Sequence, residues 1–364
     1  MANFDFSVKR VAREALPFLC DNLVFPNLIY RETVDAPAAK QGDVVSVRCP
    51  VKLEATDFDE ENGVTPGTLR PNMVDVKLDH LATVDMQVGA IEAACDFESV
   101  IKTFIEPAAA ALAQKINAEG LGLYKDIPGI VKTSPHEVSL DDFAEAACIL
   151  DERKVPAGSR YAVWSPAAAR ALKQIPAVVN AEKCGSNTAL RTGAIGKIFG
   201  IENYTSQAVA VHESEFDGTL KASAAHASSG TLSMTATGGG PILAGDLLKI
   251  GSRVYTATAD GTQSGSTITV PVYPKVTCAA NATVTLIGNH TPNLVFHPNA
   301  FAFVTRPLAA PAGVESYVTT FNGISLRVVR GYDMKYKREM LSMDVLYAFK
   351  TIDPTLAVRY SIGV

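Results

Sequence analysis

The sequence predicts an α+β chain that carries a small inserted β-barrel. Between Glu213 and Thr291 it turns to Thr, Ser, Gly, Ala and Val, with short β-type runs and very few charges. On either side it is an ordinary mixed sequence with helical periodicity, prolines and charged faces. The flanking portions show no catalytic constellation, which points toward a structural, assembling protein and away from an enzyme.

With 364 residues the chain has room for two domains, or for one domain with an insertion. It is 47% hydrophobic and 20% charged, enough apolar material for a sizeable core. The formal charge of −5 gives no global basic footprint, so wrapping nucleic acid by phosphate neutralisation is not its main task. Met1-Ala-Asn-Phe-Asp-Phe lacks the apolar region of a secretory signal. No run approaches the roughly 18 apolar residues of a bilayer span. The cysteines at 20, 49, 95, 148, 184 and 278 are scattered singly, which reads as reduced, mostly buried thiols.

Residues 1–40 are rich in breakers (Pro17, Pro26, Pro37). A short helix from Val8 to Leu16 fits, and the rest reads as an extended arm. Its apolar residues Phe18, Leu19, Leu23, Phe25, Leu28 and Ile29 would be buried on a neighbour or on the chain itself. Residues 41–90 alternate: Val45, Val47 and Cys49 recur at period two, as do Val74, Val76 and Leu78, which predicts a long β-hairpin. Its tip, Asp57-Phe-Asp-Glu-Glu-Asn-Gly63, is polar and acidic and is expected to project. From Asp96, a credible N-cap, Phe97, Ile101, Phe104, Ala108, Leu112 and Ile116 fall near one helical face. Through Glu119 that helix would be about 35 Å long. Pro107 must kink it or restart it in a first turn, and Gly120 and Gly122 end it.

Ser139-Leu-Asp-Asp142 is a capping box with Asp in place of Glu, opening a helix with Phe143, Ala147 and Leu150 on one face. Cys148 is expected on its buried side. Arg160 to Trp164 is a short strand, and Ser165-Pro166 caps the next helix. A Gly/Ser-rich loop at 185–198 and a strand at Ile201 to Val211 follow. The insertion supplies six short strands near 219–224, 231–237, 247–250, 253–259, 267–273 and 282–287, spaced as in a small barrel. Strands resume from Asn293 to Thr305 and from Gly323 to Val364.

Motifs for chemistry fail specific tests. Gly120-Leu-Gly122-Leu-Tyr-Lys125 has Lys at the third glycine position and a helix before it, where a dinucleotide loop needs a strand. Gly193-Ala-Ile-Gly-Lys197 lacks phosphate-loop spacing. Asp57, Asp59 and Glu61 begin like a calcium loop, but Asn62 stands where Gly is required and Thr68 where a bidentate Glu belongs. The six histidines form no H-E-x-x-H or i, i+4 pair, and no G-x-S-x-G elbow is present. Neither cofactor nor metal is expected. The basic set Arg327, Arg330, Lys335, Lys337 and Arg338 leaves three readings open: exposed strand faces, complement to an acidic hairpin on a neighbour, or contact to packaged nucleic acid.

The ordered set carries a resemblance. It comprises the arm, the hairpin and Phe104-Ile-Glu-Pro-Ala-Ala-Ala-Ala-Leu-Ala113. It continues with Asp151-Glu-Arg-Lys-Val-Pro-Ala-Gly-Ser-Arg160-Tyr-Ala-Val-Trp-Ser-Pro166 and Gly196-Lys-Ile-Phe-Gly-Ile-Glu-Asn-Tyr204. After the barrel come Asn293-Leu-Val-Phe-His-Pro-Asn-Ala-Phe301 and Gly323-Ile-Ser-Leu-Arg-Val-Val-Arg-Gly-Tyr332. Over essentially its whole length the chain resembles tailed-bacteriophage major capsid proteins of the P22 coat type, built on the HK97 fold. The resemblance implies an N-terminal arm (1–40), an extended hairpin loop (41–92), a spine helix (93–125) and a peripheral α/β domain (126–200). It further implies an axial/peripheral β-region (201–216 and 291–364) and the inserted barrel (217–290).

The function it implies is self-assembly, through hexamers and pentamers, into an icosahedral shell around a double-stranded DNA genome. Scaffolding and portal proteins would be partners, DNA would be touched weakly and non-specifically, and no membrane is involved. Such a shell is a virion component assembled in the host cytoplasm. A nanocompartment shell of the encapsulin kind is the nearest alternative, and a hydrolase with a β accessory domain the more distant one. Candidate inter-subunit contacts are Asp57, Asp59, Glu60, Glu61, Arg70, Arg327, Arg330, Lys335, Lys337 and Arg338.

Overall fold

Runs of Val, Leu, Phe and Tyr toward the end of the chain build one sheet, and a separate β-rich insertion closes on itself. The computed structural model describes residues 7–31, 40–48, 73–88, 101–132, 139–179, 193, 195–334 and 338–363. Contacts divide the chain into two units. One comprises Met1–Cys20, Tyr30–Leu112 and Phe301–Ile352, the other Asp21–Ile29, Ala113–Ala300 and Asp353–Val364.

The first unit is organised by a six-stranded sheet in the order Tyr30–Arg31, Phe301–Arg306, Arg338–Thr351, Ile324–Asp333 and Glu315–Phe321, with His80–Val88 also paired to Arg338–Thr351. All six residues of Phe301–Arg306 are buried, as expected of a strand covered on both faces. The hairpin base forms as the alternation predicts, Val44–Arg48 against Met73–Lys77, with Val45 opposite Val76 and Val47 opposite Val74. Val47, Val76 and Leu78 join Ala302, Val304, Leu346 and Ala348 in one apolar cluster, so the base is a core element. The acidic tip, Asp57, Asp59, Glu60 and Glu61, lies outside the described residues, as does Arg70.

The N-terminal region departs from the expected extended arm. A helix runs from Val8 to Asn22 through Pro17 and buries Val8, Val11, Ala12, Ala15, Leu16, Leu19 and Cys20. Burying that apolar stripe outweighs the hydrogen bond that proline removes, a cost of about 3 kcal/mol in an isolated helix. Leu23, Phe25, Leu28 and Ile29 are buried on the chain itself. Asn117 fixes this corner: its Oδ1 accepts from the Val24 and Phe25 amides at 3.1 Å each.

Pro107 occupies the second position of the helix Glu106–Leu121, so it restarts a helix in its first turn. The preceding Ile101–Ile105 is a π-helical turn. That turn shifts the phase, and Ile105 is buried where the sequence spacing had indicated Phe104, which is 38% exposed. The expected N-cap Asp96 is outside the described residues.

The second unit holds a six-stranded mixed sheet in the order Gly129–Lys132, Ala357–Gly363, His290–Phe296, Arg160–Trp164, Ile201–Thr205 and Lys197–Ile198. The sequence reading separated residues 126–200 from 291–364. The sheet joins strands from both, and the C-terminal strand pairs in parallel with Gly129–Lys132. The expected Asn293–Thr305 strand is likewise two strands, His290–Phe296 and Phe301–Arg306, parted by a 3-10 turn at Pro298–Ala300. The strand expected at Ile201 to Val211 stops at Thr205. Helices Leu140–Glu152 and Pro166–Lys173 contribute Phe143, Leu150, Ala169 and Leu172 to a core with Trp164, Ile201, Val295, Val358 and Tyr360. Both caps form: Ser139 and Asp142 make the reciprocal box, and Ser165 accepts from Ala168. Cys148 is exposed, contrary to expectation. Five residues beyond Phe143, it sits about 140° round the helix from that buried face. Of the three described cysteines only Cys20 is buried.

The insertion is a closed antiparallel barrel. Asp217–Ala222, Thr283–Ile287, Leu247–Ile250, Arg253–Ala257, Thr267–Cys278 and His226–Gly239 pair in that cyclic order, and Thr262–Ser264 adds a short edge strand. Leu220, Leu232, Met234, Leu248, Tyr255, Val270, Val276 and Val284 fill its interior.

Candidate functional site

The polar residues that the fold buries most deeply gather in the second unit, where the insertion leaves and rejoins the chain. His212 and His290 form an antiparallel backbone bridge, with the His212 amide to the His290 carbonyl at 2.8 Å and the reverse bond at 3.1 Å. Their rings lie 4.9 Å apart. Three elements supply the surrounding groups: Tyr124 from the 3-10 turn Gly122–Asp126, Gly245 and Asp246 from a tight barrel turn, and Arg359 from the strand Ala357–Gly363.

Each ring has a defined set of partners. The Tyr124 hydroxyl donates to His212 Nδ1 at 2.8 Å, and His212 Nε2–H donates to Asp246 Oδ1 at 2.9 Å. The other Asp246 oxygen accepts from the Leu243 amide at 2.7 Å. His290 Nδ1–H donates to the Gly288 carbonyl at 2.7 Å, which leaves its Nε2 lone pair to accept from the Arg359 guanidinium. Arg359 also donates to the Gly245 carbonyl at 2.8 Å and lies 4.5 Å from the centre of the Tyr124 ring. Thr256 Oγ1, from the barrel, donates to the Lys125 carbonyl at 2.9 Å.

Burial controls the electrostatics. Arg359, His290 and Asp246 are 0% exposed, and His212 is 5% exposed. Burial, with the Arg359 cation beside it, holds the His290 pKa down at about 3, so its ring is neutral at physiological pH. Burial lowers Arg359 to about 9, still a cation at neutral pH. The Tyr124 hydroxyl is raised by burial. Among the described residues no group of His, Cys, Asp and Glu is placed to hold a metal ion. With its central side chains sealed from solvent, the cluster is arranged to hold elements together: it ties the barrel turn, both limbs of the insertion, the 3-10 turn and the C-terminal strand into one joint.

The sequence reading did not find this joint, because its members are up to 235 residues apart. One signal was present: His212 and His290 each immediately precede a change in composition, at Glu213 and at Thr291. Of the residues it did select, the described ones, Arg327, Arg330 and Arg338, fall elsewhere, on the first unit's sheet. Arg327 forms an ion pair with Asp344 at 2.6 Å, its register partner on the next strand. Arg330 reaches Glu339 at 2.7 Å and Glu315 at 3.9 Å. Arg338 is exposed and donates to Gln87 Oε1 at 2.7 Å. Lys335 and Lys337 are outside the described residues.

No protein-family model matches the chain, and no curated protein matches its sequence. Solved structures do. One from Mycobacterium phage Che8 aligns over 93% of this chain and 90% of its own, at 17% identity and a TM-score of 0.50. The capsid structure of cyanophage P-SCSP1u aligns over 93% and 87%, at 13% identity and a TM-score of 0.47. A virus-like particle from Pyrococcus furiosus aligns over 97% and 98%, at 11% identity and a TM-score of 0.45. The chain shares its overall fold, nearly end to end, with the phage Che8 structure.

Proposed function

We propose that this chain is the major capsid protein of a tailed bacteriophage, which assembles with copies of itself into an icosahedral shell around double-stranded DNA. The observation that carries the reading is the near end-to-end likeness of fold to a phage structure, over 93% of the chain. The resemblance found in the sequence points the same way. Large exposed side chains of the first unit fit contact with neighbours: Phe321 is 58% exposed, Tyr332 56% and, in the turn after its strand, Met334 78%. The finer assignments belong to the same proposal: an HK97-type shell subunit with an N-terminal arm, extended loop, spine helix, peripheral and axial regions, and an accessory barrel. So do scaffolding and portal partners, weak contact to DNA, and assembly in the host cytoplasm to a virion capsid.

Expression of the chain alone and with a candidate scaffold, followed by negative-stain electron microscopy, tests the reading. Closed or partial shells, or rings of five and six, are expected. A strictly monomeric protein in both preparations would overturn it.

A further inference from the structure

The two histidines of the joint differ in what their surroundings permit. His212 faces Asp246 with one nitrogen and the Tyr124 hydroxyl with the other. A hydroxyl rotates and serves as donor or acceptor. A protonated His212 would keep both bonds. His290 has no such freedom. One nitrogen faces the Gly288 carbonyl, which accepts only, and the other faces the Arg359 guanidinium, which donates only. The ring must therefore supply one donor and one acceptor, which only the neutral form does. A proton on Nε2 would set N–H against N–H and a second cation beside a fully buried one.

We propose that His290 is a proton-operated latch on the inserted barrel: uptake of one solvent proton at Nε2 breaks the contact to Arg359 and loosens the joint at the base of the barrel. The groups facing the ring are Arg359 from the C-terminal strand, His212 across the backbone bridge, Asp246 from the barrel turn and, beyond His212, Tyr124 from the 3-10 turn. Arg359 opposes the proton. Asp246 favours it but is already bonded to His212 Nε2 and the Leu243 amide.

The direction with pH follows from linkage. Above about pH 6.5 the ring is neutral whether the latch is closed or open, and proton uptake exerts no pull. As the pH falls from 6.5 toward about 3, the open form binds a proton that the closed form refuses. The opening equilibrium then rises about tenfold per pH unit, so from pH 7.5 to 5.0 it grows about 30-fold.

Hydrogen exchange of the full chain in solution, corrected for intrinsic rates, reads this opening in segments 212–216, 243–246 and 288–292. In the parent protein, protection there should fall about 30-fold between those pH values. In His290→Gln, which keeps an acceptor for Arg359 but cannot take up the proton, it should stay flat. An equal acid response in both proteins would overturn the latch. Should the variant fail to fold, side-chain ¹⁵N spectra of histidine in the parent protein decide. A His290 ring that stays neutral for as long as the joint's amides are protected supports the latch, and an imidazolium in a joint whose amides remain protected overturns it. The proposal concerns the second unit alone and does not rest on shell formation.

Discussion

Gly245 shows how tightly the joint is drawn at the scale of one residue. Its φ of +99° is the left-handed conformation that glycine adopts freely. A Cβ there would sit 2.9 Å from Lys125 Cγ, 3.1 Å from Tyr124 Cε2 and 3.2 Å from His212 Cε1. Two of those atoms belong to rings held by hydrogen bonds, so they have little room to give. Gly245→Ala should destabilise the protein by about 1–3 kcal/mol, read as a fall in the urea midpoint. An unchanged midpoint would mean that the turn relaxes elsewhere. Single residues were also where the sequence spoke most clearly. Ser139, Asp142, Ser165 and Pro166 stand in the capping positions their types indicated, because capping is decided within three or four residues. Arg359 carried no comparable mark: an arginine in a C-terminal alternating run gives no sign that its head is sealed among partners 69 and 114 positions away.

At the scale of elements, the barrel and the C-terminal strand are coupled through Arg359. Replacing Arg359 by Met leaves the Gly245 carbonyl and His290 Nε2 buried without their donor, at a cost of about 2–4 kcal/mol. The barrel has its own closed core and no longer needs to unfold with the mixed sheet. Calorimetry of Arg359→Met should therefore show a barrel transition separating from the rest. A single transition at the parent temperature would contradict the coupling. The barrel strands were legible in the sequence, since Gly-containing turns and short β-branched runs are local signals. Pairings such as Ala357–Gly363 with Gly129–Lys132 were not, because a parallel partner so remote leaves no local trace. The Val8–Asn22 helix was read short for a related reason: Pro17 is a local veto that burial of Leu16, Leu19 and Cys20 overrides.

For the whole molecule, the proposed assembly gives charged residues a further role. Arg327 and Arg330 have acidic partners on their own sheet. The acidic stretch Asp57, Asp59, Glu60 and Glu61, outside the described residues, is proposed to meet a basic surface on a neighbouring copy. Reversing all four to Lys should cut the yield of closed particles at least about tenfold and remove most of their salt dependence, because exposed pairs are screened beyond about 10 Å at 0.1 M. Particles of unchanged yield by sedimentation would end that idea. The His212–His290 bridge has one further consequence. Because the insertion departs and returns through two paired residues, about 5 Å apart, the mixed sheet receives it as it would a short turn. The site is thus a socket. Foreign modules whose ends lie side by side could be grafted between these histidines with the His290–Phe296 register intact, provided each brings a carbonyl for Arg359.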